Sequence, residues 1–233
     1  MMTAPTLAPG TIGIVRARVS APPVAWDVLE RAVTQAERDR AARFIHEIDR
    51  RRHILGRGIV RLLLAPLLRV DPPDVCFTIS GLGKPLLDVG PSFSISHSGD
   101  HVLVALAAEG RLGVDVEAVR PLRDLPGLAR TSFGPDEYAH VMQIPEAERL
   151  LPFFRTWTRK EAMLKALGCG LSGLSSISVS AHEQVENALL RLDTSGERLD
   201  EWTIRPLHVG DDAEAAVAWD RALVAVLALD VRA

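Results

Sequence analysis

The order of predicted secondary-structure elements repeats once along this chain, and that repetition limits the folds available to it. The first half gives a strand, a long helix that begins at a capping-box pattern at Thr34, and three more strands. The second half starts again with a strand at residues 112–117, continues through helical segments, and ends in four strands. Together these elements predict an α+β fold made of two similar αβββ halves.

The predicted boundary between the halves lies near residues 109–112, which gives an N-terminal half at 1–110 and a C-terminal half at 111–233. Two such halves would form a pseudo-dimer, and ligand sites favour the cleft at such a seam. The predicted helices cover residues 35–66, 124–130, 135–142 and 148–167, and the predicted strands cover 11–19, 75–80, 92–97, 101–107, 112–117, 176–180, 187–192, 202–208 and 221–229.

Composition narrows the class of protein. The 233 residues are 47% hydrophobic with a net charge of −3, which is typical of a soluble globular chain. We expect neither a signal peptide nor a membrane span, since no apolar run approaches the required length. Cys76 and Cys169 have no partner motif, which favours a reducing, cytoplasmic location. A pI near 6.2 and few aromatic residues disfavour nucleic-acid binding.

The strand Gly113-Val114-Asp115-Val116-Glu117 carries two carboxylates on one face, because side chains alternate along a strand. We expect Asp115 and Glu117 to lie ~6–7 Å apart. Their repulsion is then about 2.5 kcal/mol at an effective dielectric near 20, and below about 1 kcal/mol in water. The pair is therefore either a solvated strand face or, in a cleft, a site for a hard cation such as Mg²⁺.

A second concentrated stretch runs from Trp157 to Lys165. On a helix, Trp157, Glu161 and Lys165 share one face. Glu161 and Lys165 would make an ordinary surface ion pair worth ~0.2–0.5 kcal/mol. Alternatively, the aromatic residue draws this face inward, so that a third carboxylate and an ammonium join the two strand carboxylates in a metal-and-phosphate site.

Candidate anion-binding residues lie in the first half. Lys84 occupies a glycine-proline turn and is either solvated or bound to a phosphate. His97 ends a strand between two serines and is either structural or a ligand. Arg52 falls within the apolar stripe of the long helix, so it either extends to water or meets an anion.

Taken together, these stretches resemble the surfactin-type group of the 4′-phosphopantetheinyl transferase superfamily. The resemblance rests on motifs in a fixed order between about residues 35 and 175: the arginine-rich helix around Arg50 to Gly58, Gly83-Lys84-Pro85, Phe93 to Ser98, Gly113 to Glu117, and Trp157 to Glu161 with Lys165.

The resemblance implies an enzyme, a holo-acyl-carrier-protein synthase or 4′-phosphopantetheinyl transferase. It would move 4′-phosphopantetheine from coenzyme A (CoA) to a serine of an apo acyl, peptidyl or aryl carrier protein. The reaction would need Mg²⁺, with Mn²⁺ as an alternative, and would release adenosine 3′,5′-bisphosphate. We expect a cytoplasmic monomer with neither a nucleic-acid nor a membrane partner. Segment 122–142 and the pair Phe153-Phe154 are candidates for carrier docking.

The resemblance also implies roles for individual residues. Asp115, Glu117 and Glu161 match metal ligands, and Lys165 matches the lysine that steadies the transferred phosphate. Glu137 matches an acid proposed to deprotonate the serine, a role for which Glu161 and a metal-bound water compete. The expected CoA-binding residues are Arg40, Arg52, Gly83, Lys84, Pro85, Ser96, His97 and Lys160.

Two positions depart from the pattern of the family. Glu37 stands where relatives often carry a lysine near the CoA phosphate, so that contact is either absent or supplied by Arg38 or Arg40. Val116, between the two expected metal ligands, indicates that water completes the metal sphere. Neither change touches the four central residues.

The rival interpretation is a non-catalytic protein of the same fold that binds CoA or a nucleotide. A pure binder needs no complete set of metal ligands, so the joint presence of Asp115, Glu117, Glu161 and Lys165 argues for the enzyme. A different Mg²⁺-dependent phosphotransferase is disfavoured, since the chain has no GxxxxGK[ST] loop.

Overall fold

A computed structural model describes residues 7–185, 187–221, 225–229 and 231. The chain folds into two compact units, and their boundaries are not those of a simple division in half. Unit 1 contains the chain up to Glu109 together with the described part of the C-terminal stretch that follows residue 223. Unit 2 is the intervening segment Gly110–Leu223. The predicted halves, 1–110 and 111–233, differ from these units in the assignment of the last strand.

The structure has both helices and several sheets, and the α+β class is confirmed. The helices are α1 Trp26–Ala32, α2 Gln35–Ala42, α3 Glu47–Leu68, α4 Leu125–Ser132, α5 Pro135–Gln143 and α6 Leu150–Leu167. The strands are β1 Thr11–Arg18, β2 Thr78–Ile79, β3 Pro85–Leu86, β4 Ser92–Ser98, β5 His101–Ala107, β6 Leu112–Ala118, β7 Ile177–Val179, β8 Leu189–Leu192, β9 Thr203–Pro206, β10 Ala213–Trp219 and β11 Ala225–Ala228.

Unit 1 is built on a four-stranded sheet in the order β11-β1-β5-β4, with a separate β2–β3 hairpin. The pair β1–β11 is parallel, whereas β1–β5 and β4–β5 are antiparallel. Helix α3 packs on this sheet, and its fully buried Leu55 and Ile59 belong to one core with Val104 and Leu106 of β5. This core fixes the polar face of α3 relative to the ends of β4 and β5.

Unit 2 contains the antiparallel sheet β6-β10-β9 and the β7–β8 hairpin. Helix α6 lies across β6 and β10. The contact is close because Gly113 has no side chain: a Cβ there would overlap the carbonyl oxygen of Ala162 and the backbone nitrogen of Ala166. Small residues on β10, Ala216 and Ala218, share the core with Ala162. The backbone of α6 therefore sits directly on the sheet.

The predicted elements were mostly found, with four differences. The long first helix is two helices, since α2 ends before Arg43 and α3 begins at Glu47. Helix α3 also continues past Pro66 to Leu68, so the missing N–H of this proline does not end the helix. Helix α1 and strands β3 and β10 were not predicted.

The fourth difference concerns the predicted strand 221–229. Of this stretch residues 222–224 lie outside the described residues, and β11 pairs with β1 in unit 1. None of the described helices combines the length and apolar character required of a membrane-spanning segment.

Candidate active site

The α6-facing side of β6 carries the two predicted strand carboxylates. One face of β6 carries Gly113, Asp115 and Glu117, because every second residue of a strand points to the same side. Helix α6 packs closely against the strand at Gly113. Asp115 is buried, and the side chain of Glu117 is 24% exposed. The solvated strand face considered from sequence therefore does not describe Asp115.

Helix α6 brings Lys165 and Glu161 to these carboxylates. The Lys165 ammonium donates to Oδ1 of Asp115 at 2.6 Å. Burial and the negative charges of Asp115 and Glu117 raise the pKa of Glu161, while Lys165 opposes the shift. The structure thus brings together Asp115, Glu117, Glu161 and Lys165, and it pairs Lys165 with the strand rather than with Glu161 alone.

The set of acidic residues formed by Asp115, Glu117 and Glu161 has charged neighbours that sequence analysis did not identify. Glu214 of β10 lies directly across from Glu117 in the β6–β10 register. Arg155 of α6 binds Glu214, with Nη2 at 2.8 Å from Oε1. Arg120 lies 3.9 Å from Glu117 and stacks over the ring of Phe154. Finding Glu214 would have required the pairing of β6 with β10.

The oxygen donors needed for a hard cation are present, although their side chains do not converge into a ready-made cage. Within the described ranges, no group of three or more His, Cys, Asp or Glu residues is already placed so that it could hold a metal ion. Asp115, Glu117 and Glu161 are nonetheless the ligand type that Mg²⁺ and Mn²⁺ prefer, and they are close enough to influence one another's charge.

Glu137 and Lys160 form a separate, deeply buried pair. Lys160 is fully buried, and its ammonium donates to Oε2 of Glu137 at 2.7 Å and to the carbonyl of Ile177 at 2.5 Å. The backbone N–H groups of Gly134 and Val179 also donate to the Glu137 carboxylate. In this geometry the two residues bind each other and join α5, α6 and β7. Their predicted contacts with substrate stay predictions.

Unit 1 gathers several cations around His53, which sequence analysis missed. Burial and the positive charges of Arg57 and Arg40 lower the pKa of His53 to about 4, with a further contribution from His97 and an opposing one from Glu37. His53 Nε2 is buried and forms no hydrogen bond within the described part of the chain. His53 follows Arg52 directly, and Arg57 lies one helical turn later, which was the available signal.

Arg52 does not extend freely to water. Its Nε donates to the carbonyl of Gly99 at 2.6 Å, and Nη1 donates to Asp49 at 2.7 Å. Arg52 therefore ties α3 to the turn between β4 and β5, next to the strand that carries His97. Its guanidinium is held at this edge of unit 1.

The remaining predicted residues of unit 1 fall on two elements. Gly83 and Lys84 lie in the turn between β2 and β3, Pro85 opens β3, and the Lys84 N–H donates to the Ser80 hydroxyl. Ser96 is buried on β4.

The two aromatic residues proposed for docking are not exposed. Phe153 and Phe154 are buried in a core with Phe133, and Phe153 stacks on Trp157. A docking role for this pair is therefore wrong in this conformation, because their rings are already covered.

Comparison with known proteins identifies the class that this fold and site define. A family model described as the 4′-phosphopantetheinyl transferase superfamily matches residues 111–218. A second, described as the N-terminal part of 4′-phosphopantetheinyl transferase, matches residues 20–110.

Individual relatives agree. The chain is 36% identical to the 4′-phosphopantetheinyl transferase HetI of Nostoc sp. strain PCC 7120 over 195 residues, which is 82% of this chain and 79% of the relative. It is 34% identical to a phosphopantetheinyl transferase of Thraustochytrium sp. over 82% of this chain and 71% of the relative. The 4′-phosphopantetheinyl transferase Sfp of Bacillus subtilis strain 168 is 31% identical over 65% of this chain and 67% of Sfp.

The chain belongs to the 4′-phosphopantetheinyl transferase superfamily, and the family predicted from the motifs is confirmed. It is an enzyme of this family, which transfers 4′-phosphopantetheine from CoA to carrier proteins.

Proposed function

We propose that this enzyme modifies a serine of apo acyl, peptidyl or aryl carrier proteins in a Mg²⁺-dependent reaction that releases adenosine 3′,5′-bisphosphate. The observation that carries the proposal is the group on the α6-facing side of β6: Asp115, Glu117 and Glu161 with the Lys165 ammonium. Transfer of a phosphoryl-type group depends mainly on positioning and on neutralising charge, and this group supplies both functions.

In this proposal Asp115, Glu117 and Glu161 hold the Mg²⁺ ion, with Mn²⁺ as an alternative. Three hard oxygen donors suit either ion. Burial and the negative charges of Asp115 and Glu117 raise the pKa of Glu161, and a bound cation would stabilise its ionised form. The bound ion would neutralise charge on the CoA pyrophosphate. The ion would share the Asp115 carboxylate with the Lys165 ammonium, which donates to Oδ1.

Lys165 then contacts the transferred phosphate and protonates the leaving group. Glu161, or a water on the bound ion, would accept the proton of the serine. Glu137 is less suited, since the Lys160 ammonium and two backbone amides occupy its carboxylate.

The CoA phosphates are assigned to unit 1. Arg40, Arg52 and His97 bind the 3′-phosphate, and Arg57 adds to this cationic group. The turn formed by Gly83, Lys84 and Pro85, with Ser96 beside it, lines the adenine side. The enzyme acts as a cytoplasmic monomer in this proposal.

Carrier docking is assigned to α4 and the loop before it. A cavity of about 490 Å³ there is lined by Arg123, Leu128 and Arg130, among others. Neither arginine forms an ion pair within the part of the chain that the structure describes. Exposed cations beside an apolar side chain suit an acidic partner surface.

The decisive experiment incubates the protein with CoA, Mg²⁺ and a panel of apo carrier proteins, followed by mass spectrometry of each carrier. We expect phosphopantetheine on at least one carrier and none when EDTA is added. Asp115→Asn is the matched variant and should be folded but inactive. CoA binding without modification of any carrier would favour the non-catalytic alternative.

A further inference from the structure

The α6-facing side of the β6–β10 pair carries one more carboxylate than the proposed metal ligands require. Glu214 and Glu117 are direct partners in the antiparallel register, so their side chains project from the same face. Asp115 lies on this face two residues before Glu117. Like charges directly opposite each other are unfavourable, so the second strand needs a compensating cation.

Arg155 supplies that cation. Its Nη2 donates to Oε1 of Glu214 at 2.8 Å and its Nε to Oε2 at 3.4 Å, while Nη1 reaches the carbonyl of Ala181 at 3.3 Å. The side chains of Arg155 and Glu214 are only 14% and 16% exposed. Solvent therefore screens this pair less than an exposed ion pair.

We propose that Arg155 and Glu214 are positioning residues that set the affinity of the Asp115, Glu117 and Glu161 group for its divalent cation. This inference rests on the metal role of those three residues in the proposed function. Arg155 cancels the charge of Glu214, so the metal site responds to three carboxylates rather than four.

The proposal predicts opposite effects for the two partners. Without Arg155, the Glu214 carboxylate adds uncompensated negative charge beside Glu117, which strengthens cation binding. Without the charge of Glu214, the positive charge of Arg155 is uncompensated near the metal site, which weakens cation binding. Removal of both charges restores the balance. A purely structural pair would instead weaken binding in both single variants.

The test measures Mn²⁺ binding to the purified enzyme, without CoA, from the electron paramagnetic resonance signal of free Mn²⁺. Relative to the wild type, we expect Arg155→Met to bind about threefold more tightly and Glu214→Gln about threefold more weakly. The double variant should lie close to the wild type. Arg155→Lys keeps the charge and should keep the affinity. Arg198→Met removes an exposed arginine paired with Asp200 and is the matched control.

Shifts of the two single variants in the same direction, or no shift in either, would overturn the inference. Thermal unfolding of each variant shows whether the measured protein is folded, and Arg155→Lys at wild-type affinity separates charge from packing. If Mn²⁺ binds but depends on neither Arg155 nor Glu214, the inference fails while the metal role stands. If Asp115→Asn leaves Mn²⁺ binding unchanged, the metal role fails as well. Carrier modification is scored separately.

Discussion

The ammonium nitrogen of Lys165 lies 2.6 Å from Oδ1 of Asp115, so a charge-assisted hydrogen bond joins the last turn of α6 to the middle of β6. Lys165 follows Glu161 by one helical turn. The same turn therefore places one carboxylate and one cation against the strand carboxylates. A small rotation of α6 would disturb both at once.

Replacement of Lys165 by alanine should lower turnover about ten- to a hundredfold, because a hydrogen bond to a charged group is worth ~1.5–3 kcal/mol. KM for CoA should change less, since Lys165 acts on the phosphate during transfer. Steady-state kinetics with one carrier protein provides the measurement, and Lys165→Arg should recover part of the rate. A change confined to KM would place Lys165 in substrate binding.

Glu161→Gln should raise the stability of the protein near pH 7 in the absence of divalent cations. The pKa of Glu161 is raised in the folded state, so the protonated form stabilises the fold and that contribution is lost as pH rises through the folded pKa. The difference in Tm between variant and wild type should therefore vanish at pH values below the ordinary value of 4.5. Thermal scans from pH 4 to pH 8 test this. A pH-independent difference would contradict it.

His53 should make unit 1 sensitive to acid. Its pKa is about 4 in the folded protein and 6.5 ordinarily. The neutral His53 therefore makes its full contribution to stability above pH 6.5, and this contribution is lost as pH falls towards 4. His53→Gln should unfold with a shallower pH dependence across this window. Urea titrations at several pH values give the slopes. Identical slopes would mean that the cations around His53 do not control its protonation.

Variants of the buried Glu137–Lys160 pair distinguish a structural role from a catalytic one. Lys160→Met leaves a buried carboxylate without its cation and should cost about 3–5 kcal/mol of unfolding free energy. The double variant Glu137→Leu/Lys160→Met should regain much of that loss. Turnover measured at a temperature where the double variant is folded then reports chemistry. Complete loss of turnover by the folded double variant would indicate that Glu137 has a catalytic role.

Gly113→Ala should destabilise unit 2 by about 1–3 kcal/mol or more, because the added Cβ meets the backbone of α6 at Ala162 and Ala166. Turnover should fall further than stability alone explains, since α6 carries Glu161 and Lys165. Denaturant unfolding and kinetics on the same sample test both parts. Gly81→Ala is the control, because a Cβ there meets nothing within 4 Å.

Local periodicity predicted which candidate residues share a face, whereas the choice between surface pairs and a metal site rested on the family resemblance. Alternation along β6 puts Asp115 and Glu117 on one face, and helical spacing puts Glu161 and Lys165 on one face of α6. Both patterns follow from the geometry of a single element. The same patterns do not show which face of β6 is turned towards α6. Gly113 determines this face, because its missing side chain lets the α6 backbone approach the strand there.

Relations between distant parts of the chain escaped prediction. Glu214 meets Glu117 only through the β6–β10 register. Strand β10 itself was missed because Val217 is the single β-branched residue in its alanine-rich sequence. Glu137 finds Lys160 through the packing of three elements. His53 acquires its low pKa from burial and from charged residues on α2, α3 and β4.

Because β11 pairs with β1, the sheet of unit 1 depends on a strand that follows unit 2 in the sequence. Unit 2 is, in topological terms, an insertion within unit 1, whose sheet takes one edge strand from each side of that insertion. A fragment that ends after residue 110 would expose the edge of β1 that β11 now covers. During synthesis the sheet of unit 1 stays incomplete until the whole of unit 2 has been made. Truncation at the C-terminus should therefore damage the unit proposed to hold the CoA phosphates, although those residues lie at the other end of the sequence.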